Sequence, residues 1–180
     1  DTEKKTPSEI TFNNGSRMAV TLSTRSDTVN WLHISEFGKI CAKYPQKAEE
    51  IVTGALPSVP TTGRVTIEST AEGETGHFYD MFWEAYDRGT DPRDYAEFKS
   101  FFFPWTGDKS LVSSAKIEVS SEDAEYQTLH ELSKEQITWY AMQKKTLKRK
   151  IKQEYPTTAH EAFLASGRKI FDAKTINYRL

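Results

Sequence analysis

The sequence predicts an α/β fold, in which short strands alternate with helices. Runs rich in β-branched and apolar residues at 29–34 and 64–68 have the length and composition of strands. Between them, the apolar residues from Ala48 to Ala55 recur at i, i+3, i+4 and i+7, and Pro45 suits a first helical turn. Strands that alternate with helices in this way are typical of an α/β domain.

The N-terminal part predicts a β-hairpin. Apolar residues at 10–12 and 18–22 flank Asn13-Asn14-Gly15-Ser16, and Asn-Gly favours a two-residue turn because both positions tolerate a positive φ. Residues 1–8 are polar, and we expect a tail there.

The remaining elements are predicted from caps and breakers. We expect Thr75 to cap a helix over 76–87 that Gly89 ends, followed by a third strand over 97–105. The polar stretch 106–132 predicts a surface excursion. Two helices follow: the first is long, begins with the capping box Ser133-Lys134-Glu135-Gln136 and ends at Pro156, and the second is capped by Thr158 and ends at Gly167.

Composition limits the classes of function. The 180 residues carry a formal net charge of −2, so the whole molecule shows no strong preference for an acidic or basic partner. A single cysteine excludes an internal disulfide framework and fits a reducing compartment. The sequence has no apolar run of membrane length and no secretory signal, and its polar start without Met predicts a fragment or a processed product.

Two polar clusters follow the predicted strands and form the candidate site. Ser35-Glu36 comes after the first strand and 69–76 after the second, and strand ends of an open α/β sheet line the crevice where ligands bind. Glu36 is a candidate general base for water, or else a solvated loop glutamate. The hydroxyls and glycines of 69–76 suit an anion at a helix N-terminus, although a helix cap and turn explain them equally well.

Other charged residues have two interpretations each. Arg25 either reaches a phosphate across a subunit interface or is simply solvated. The basic segment, 144–152, either contacts a nucleic-acid backbone or forms the wet face of an amphipathic helix. Its candidate DNA-binding residues are Lys144, Lys145, Lys148, Arg149, Lys150 and Lys152. The phosphate-binding pattern G-x-x-x-x-G-K-[ST] is absent from the sequence.

The motifs WLHISE and VTIESTAEG, in this order, resemble the large terminase subunit of tailed bacteriophages and prophages. WLHISE is similar to the Walker B strand of that family, and IESTAEG to its coupling motif. The hairpin segment FNNGSRMAVTLSTRS and the later EYPTTAHEAFLASG also resemble family segments, so the likeness covers most of the chain.

The resemblance implies roles for individual residues. Glu36 matches the glutamate that activates water against the γ-phosphate, and Ser35 occupies the position of a magnesium-associated aspartate. Arg25, eleven residues before Glu36, lies near the place of a trans-acting arginine finger. The coupling motif, which senses the γ-phosphate and transmits hydrolysis to DNA movement, comprises Ser69, Thr70, Ala71 and Gly73.

The resemblance also implies an architecture and partners. It implies a P-loop NTPase-like fold, a mostly parallel sheet with flanking helices, that is incomplete because the P-loop half is absent. Residues 1–155 would be the C-terminal part of the ATPase domain and 156–180 a linker toward a nuclease domain. ATP and Mg²⁺ would be the cofactors of the full-length ATPase and nuclease, whereas we expect no tight ATP binding by this chain alone.

The partners implied by the family are double-stranded viral DNA, the portal protein, the small terminase subunit and other copies of the chain in a ring, in the host bacterial cytoplasm and without a membrane. Two alternatives remain open from the sequence. One is a DNA-binding or scaffold module with relic ATPase motifs, and the other is a P-loop ATPase of helicase type.

Overall fold

The computed structural model describes residues 2–21, 28–89 and 98–166. The strands within these ranges are Thr2–Lys5 (β1), Glu9–Phe12 (β2), Arg17–Ala19 (β3), Trp31–Ser35 (β4) and Arg64–Glu68 (β5). The α-helices are Phe37–Lys43 (α1), Pro45–Glu50 (α2), His77–Arg88 (α3), Ser121–Leu129 (α4), Lys134–Leu147 (α5), Ile151–Glu154 (α6) and Ala159–Ser166 (α7). None of the helices in these ranges is long and apolar enough to cross a membrane.

The N-terminal strands form an antiparallel sheet in the order β1-β2-β3. The predicted hairpin is confirmed, but its two-residue turn is wrong. The Phe12 amide donates to the Ser16 carbonyl (2.8 Å), the Gly15 amide donates to the Phe12 carbonyl (2.9 Å), and Gly15 has φ 80°. This is a three-residue loop with glycine in the left-handed region. The predicted polar tail is also wrong over 2–5, which pair with β2.

Strands β4 and β5 are parallel neighbours, as their alternation with helices predicted. Leu32 and Ile34 are buried against the helices, while Trp31, His33 and Ser35 on the opposite face are exposed. Only one face of β4 is therefore buried. The sheet core beneath this pair consists of Leu32, Ile34, Phe37, Ala48 and Ala55.

The helical region between β4 and β5 is confirmed, with Pro45 in the first turn of α2. It continues as a π-helical stretch, Ile51–Ala55, and a 3₁₀ turn, Leu56–Ser58. Helix α3 is also found, and Gly89 ends it. Thr75 does not cap it: Gly76, with φ 96°, occupies the N-cap position.

A second, helical core consists of Trp105, Leu132, Ile137, Tyr140 and Ile151. Trp105 stacks on Tyr140 with ring centroids 5.0 Å apart. The predicted third strand is wrong over 98–104, where the chain forms no strand, and the stretch 106–132 is more than a surface excursion. It contains α4, which begins at the cap Ser120, and it contributes the buried Leu132.

The long helix begins as predicted, because Ser133 and Gln136 form a complete capping box. It does not run unbroken to Pro156. At Lys148 the backbone has φ 51° and ψ −118°, so α5 ends and a 3₁₀ turn, Lys148–Lys150, leads into α6.

Helix α7 joins the two cores. Its cap is confirmed, since the Thr158 hydroxyl accepts from the Glu161 amide (3.1 Å). Phe163 packs edge-to-face on Tyr79 of α3, with ring centroids 5.2 Å apart. The buried residues between α3, α7 and the 69–73 loop are Ala71, Ala162 and Phe163. The 69–73 loop is thus packed between α3 and α7.

Candidate functional site

The ends of β4 and β5 bring the two predicted polar clusters together. Ser35 lies opposite Glu68 in the parallel register, so Glu36 and Ser69 continue from the same edge of the strand pair. Gly38 in α1 packs directly on the 69–73 loop: a Cβ there would lie 2.9 Å from Ser69 Oγ and 2.9 Å from the Thr70 carbonyl oxygen. Only a glycine permits this approach of helix and loop.

Glu36 occupies a strained backbone position at the start of α1. Its φ of 58° and ψ of 36° lie in the left-handed region, which non-glycine residues seldom adopt. Its side chain is 47% exposed, and Oε2 lies 2.9 Å from Nζ of Lys39. The two groups form an ion pair. The carboxylate of Glu36 raises the pKa of Lys39.

Three of the predicted site residues carry a buried polar atom that no hydrogen bond satisfies among the described residues. These atoms are Oε2 of Glu36, Oγ of Ser69 and Oγ1 of Thr70. Buried polar atoms are hydrogen-bonded in the great majority of cases. Glu36 Oε2 has Lys39 Nζ as its ion-pair partner, so Ser69 Oγ and Thr70 Oγ1 are the oxygens at this strand edge that are left to bind a polar ligand.

The rest of the 69–73 loop is fixed by α6. The side-chain amide of Gln153 donates to the Ala71 carbonyl (2.9 Å) and to the Glu72 carboxylate. Ala71 is buried, and Gly73 has φ 91°, a conformation that favours glycine. The structure thus gives Ala71 and Gly73 a conformational role in the loop, and leaves Ser69 and Thr70 as its chemical groups.

Ser35 is not placed with these oxygens. Ser35 is exposed on the outer face of β4, beside a pair formed by His33 and Glu68 (3.6 Å). Arg25 lies outside the described residues. In the ranges that the structure covers, no group of three or more His, Cys, Asp or Glu side chains is arranged to hold a metal ion. A magnesium ion carried by nucleotide phosphates needs only one or two protein ligands.

Two lysines of the basic segment form internal ion pairs. Lys144 Nζ lies 2.7 Å from Asp123 Oδ1 and 3.1 Å from Glu122 Oε2, and Lys152 Nζ lies 3.2 Å from Glu161 Oε1. The other basic residues of the segment are exposed, and they are Lys145, Lys148, Arg149 and Lys150.

These ion pairs lower the pKa values of the two carboxylates that form them. Burial raises the pKa of Asp123, but hydrogen bonds from Lys144 and Ser120 outweigh it, and the pKa lies below its usual value. Glu161 behaves in the same way, because hydrogen bonds from Thr157 and Lys152 outweigh burial and lower its pKa. The two paired lysines therefore support the fold, whereas Lys145, Lys148 and Lys150 are exposed basic side chains that a partner could contact.

No protein-family model, no curated protein and no solved structure matches this chain. The likeness to large terminase subunits thus rests on the motifs quoted above, and the assignment of function rests on the geometry of the strand edge.

A cavity of about 510 Å³ adjoins the site. Residues 66–71 line one part of it, and phenylalanines from α3, α7 and 98–103 line much of the rest. Gln153 and Glu154 close one side. Sequence reasoning missed Gln153 altogether, since its partner Ala71 is 82 residues away and no local pattern connects the two.

Proposed function

We propose that this chain supplies the hydrolysis and transmission parts of an ATP-driven motor that packages viral DNA into procapsids, the role of a large terminase subunit. The observation that carries the proposal is the convergence of Glu36, Ser69 and Thr70 at the carboxyl edge of a parallel strand pair. Ligands of open α/β sheets bind at this edge. The order of the two motifs supports the same assignment.

In this proposal Glu36 positions and deprotonates the attacking water. Its side chain is half-exposed, so water reaches it, and its backbone is held at the junction of β4 and α1. Lys39 Nζ lies 2.9 Å from Oε2 of Glu36, so Lys39 must move away before that oxygen can accept a proton from water.

In the same proposal the two hydroxyls of the 69–73 loop bind the γ-phosphate of the nucleotide. Ser69 Oγ and Thr70 Oγ1 are unsatisfied donors beside Glu36, and a γ-phosphate oxygen is a strong acceptor for them. Ser35, the predicted magnesium residue, lies on the exposed outer face of β4 and is not placed with these oxygens. Glu36 is the residue of this edge that would hold magnesium, which would supply charge neutralisation of the phosphates when bound. Loss of the γ-phosphate removes the partner of both hydroxyls, so the loop changes its position between the two states.

The replacement of Glu36 by glutamine in the full-length protein tests this role. We expect ATP turnover to fall by at least about 100-fold, the usual contribution of a general base, with nucleotide affinity largely kept. Glu50→Gln on α2 is a matched control, since Glu50 pairs with Lys47 on the surface and lies outside the site. Turnover of Glu36→Gln close to that of the control removes Glu36 from the role of base.

A DNA-binding or scaffold module with relic motifs is a second candidate, favoured by the ion pair that engages Glu36 and by the exposed lysines of the basic segment. It predicts that Lys145→Gln and Lys148→Gln weaken DNA binding and reduce its dependence on salt, with a slope smaller by about one for each lost phosphate contact. It also predicts that Glu36→Gln changes neither ATP turnover nor DNA binding. Measurement of both activities on the same variants separates the two candidates.

A further inference from the structure

Helix α6 connects the 69–73 loop with the basic segment. It follows the 3₁₀ turn Lys148–Lys150 directly, and Gln153 is the residue by which it contacts the loop. This contact spans 82 residues of sequence. Gln153 therefore links the loop to the helix that carries the C-terminal end of the basic segment.

The geometry of α6 suits the transmission of force between two packed bodies. Ile151 is 4% exposed and belongs to the helical core, whereas Gln153 contacts the loop at the carboxyl edge of the strand pair. Residues two apart on a helix point about 200° from each other. The two faces of this short helix thus hold the helical core on one side and the loop on the other.

In this contact Gln153 is the donor, and the loop supplies both acceptors. One side-chain amide donates both to a main-chain carbonyl, that of Ala71, and to the carboxylate of Glu72. Hydrogen bonds to charged groups are stronger than neutral ones, and the second bond fixes the orientation of the amide. Gln153 is therefore held to the loop at two points, so the loop cannot shift without either moving α6 or breaking both bonds.

The backbone next to α6 is irregular. Lys148 has φ 51° and ψ −118°, and the regular α-helix is interrupted there between α5 and α6. Kinks in helices occur where the helical hydrogen-bond ladder is interrupted, so α5 and α6 are separate segments on either side of this turn. The exposed side chains Lys148 and Lys150 lie at this break.

We propose that Gln153 is a positioning residue that couples the 69–73 loop to the basic segment, so that the state of the nucleotide site changes the presentation of Lys148 and Lys150 to DNA. The inference rests on the proposed function and identifies a structural connection between ATP hydrolysis and DNA binding. Gln153 touches neither nucleotide nor DNA in this scheme.

The experiment measures ATP turnover with and without double-stranded DNA in the full-length protein and its variants Gln153→Ala and Gln153→Lys. For Gln153→Ala we expect the stimulation of turnover by DNA to fall by about 5-fold or more, the lower end of common coupling energies. We expect turnover without DNA to continue. Gln153→Lys keeps a donor for Ala71 and Glu72, and we expect it to retain most of the stimulation.

Two controls make the outcome specific. Gln143→Ala removes a glutamine from the neighbouring helix α5 and is expected to behave like the wild type. Glu72→Ala combined with Gln153→Ala is expected to lose no more stimulation than Gln153→Ala alone, because residues that share one contact are not additive.

The results that overturn the inference differ from those that overturn the proposed function. Full stimulation of Gln153→Ala by DNA, or an equal loss of turnover with and without DNA, refutes the role of Gln153 while Glu36 retains its own. ATP turnover that is absent from the wild type, or unaffected by Glu36→Gln, overturns the proposed function and this inference with it.

Discussion

The ion pair between Lys144 and Asp123 separates a structural role of the basic segment from a role in DNA binding. The Asp123 side chain is 8% exposed, and its carboxylate accepts from Lys144 Nζ at 2.7 Å and from Ser120 Oγ at 2.6 Å. Lys144→Met keeps the length of the side chain but removes the charge. The change therefore leaves a buried carboxylate with only the Ser120 hydroxyl as its side-chain donor.

The expected cost is about 2–3 kcal/mol. Removal of one partner of a fully buried pair costs about 3–5 kcal/mol. The value here is lower because Lys144 is 31% exposed and Asp123 keeps its bond from Ser120. For a domain of this size, about 2–3 kcal/mol corresponds to a fall in Tm of about 5–10 °C. Lys145→Met is the matched control: this neighbouring lysine is exposed, and we expect a change within about 0.5 kcal/mol.

Urea denaturation at pH 7 and at pH 4 measures the loss of unfolding free energy in the variant and the direction in which that loss changes with pH. The lowered pKa of Asp123 contributes stability to the wild type at neutral pH, and this contribution is lost as the pH falls below about 4. Without Lys144, burial raises the pKa of Asp123, so the variant regains part of its deficit on acidification. Equal stability of the Lys144 and Lys145 variants at pH 7, or a deficit that widens toward pH 4, refutes this reasoning.

Two further predictions concern packing near the site. Gly38→Ala places a Cβ 2.9 Å from Ser69 Oγ and is expected to destabilise the fold by about 1–3 kcal/mol, whereas Gly107→Ala, which meets no atom within 4 Å, is expected to be neutral. Equal unfolding midpoints of the two variants would contradict the close approach of α1 to the loop. Phe37→Ala empties the centre of the sheet core and is expected to cost about 3–5 kcal/mol, against less than about 0.5 kcal/mol for the 84% exposed Phe103→Ala. Thermal unfolding compares this second pair, and similar Tm values for it would refute the assignment of the core.

The elements that the sequence predicted correctly are those whose signals are local. The capping box at Ser133, the break at Gly89 and the strand at 64–68 each depend on a few adjacent residues, and each is present. The convergence of Glu36 and Ser69 was predictable for a related reason. Successive parallel strands end at the same edge, so two strand-end motifs are brought together without any further information.

The features that were missed depend on contacts between distant residues. The stretch around Trp105 reads as a strand, but the tryptophan stacks on Tyr140 and the chain becomes irregular to place it there. Lys144 reads as a solvated or DNA-binding lysine until α4 brings Asp123 beside it. The Gln153 contact has the same origin. Periodicity describes which face of an element is buried, but it does not specify which other element covers that face.

The backbone at Glu36 sets stability against activity at a single position. A left-handed conformation costs a non-glycine residue about 1–2 kcal/mol, and glycine and asparagine bear that cost most easily. A screen for thermal tolerance alone would therefore enrich Gly or Asn at position 36 and discard the carboxylate. A screen for ATP turnover would retain glutamate there, so the two kinds of selection would lead the same library to different residues.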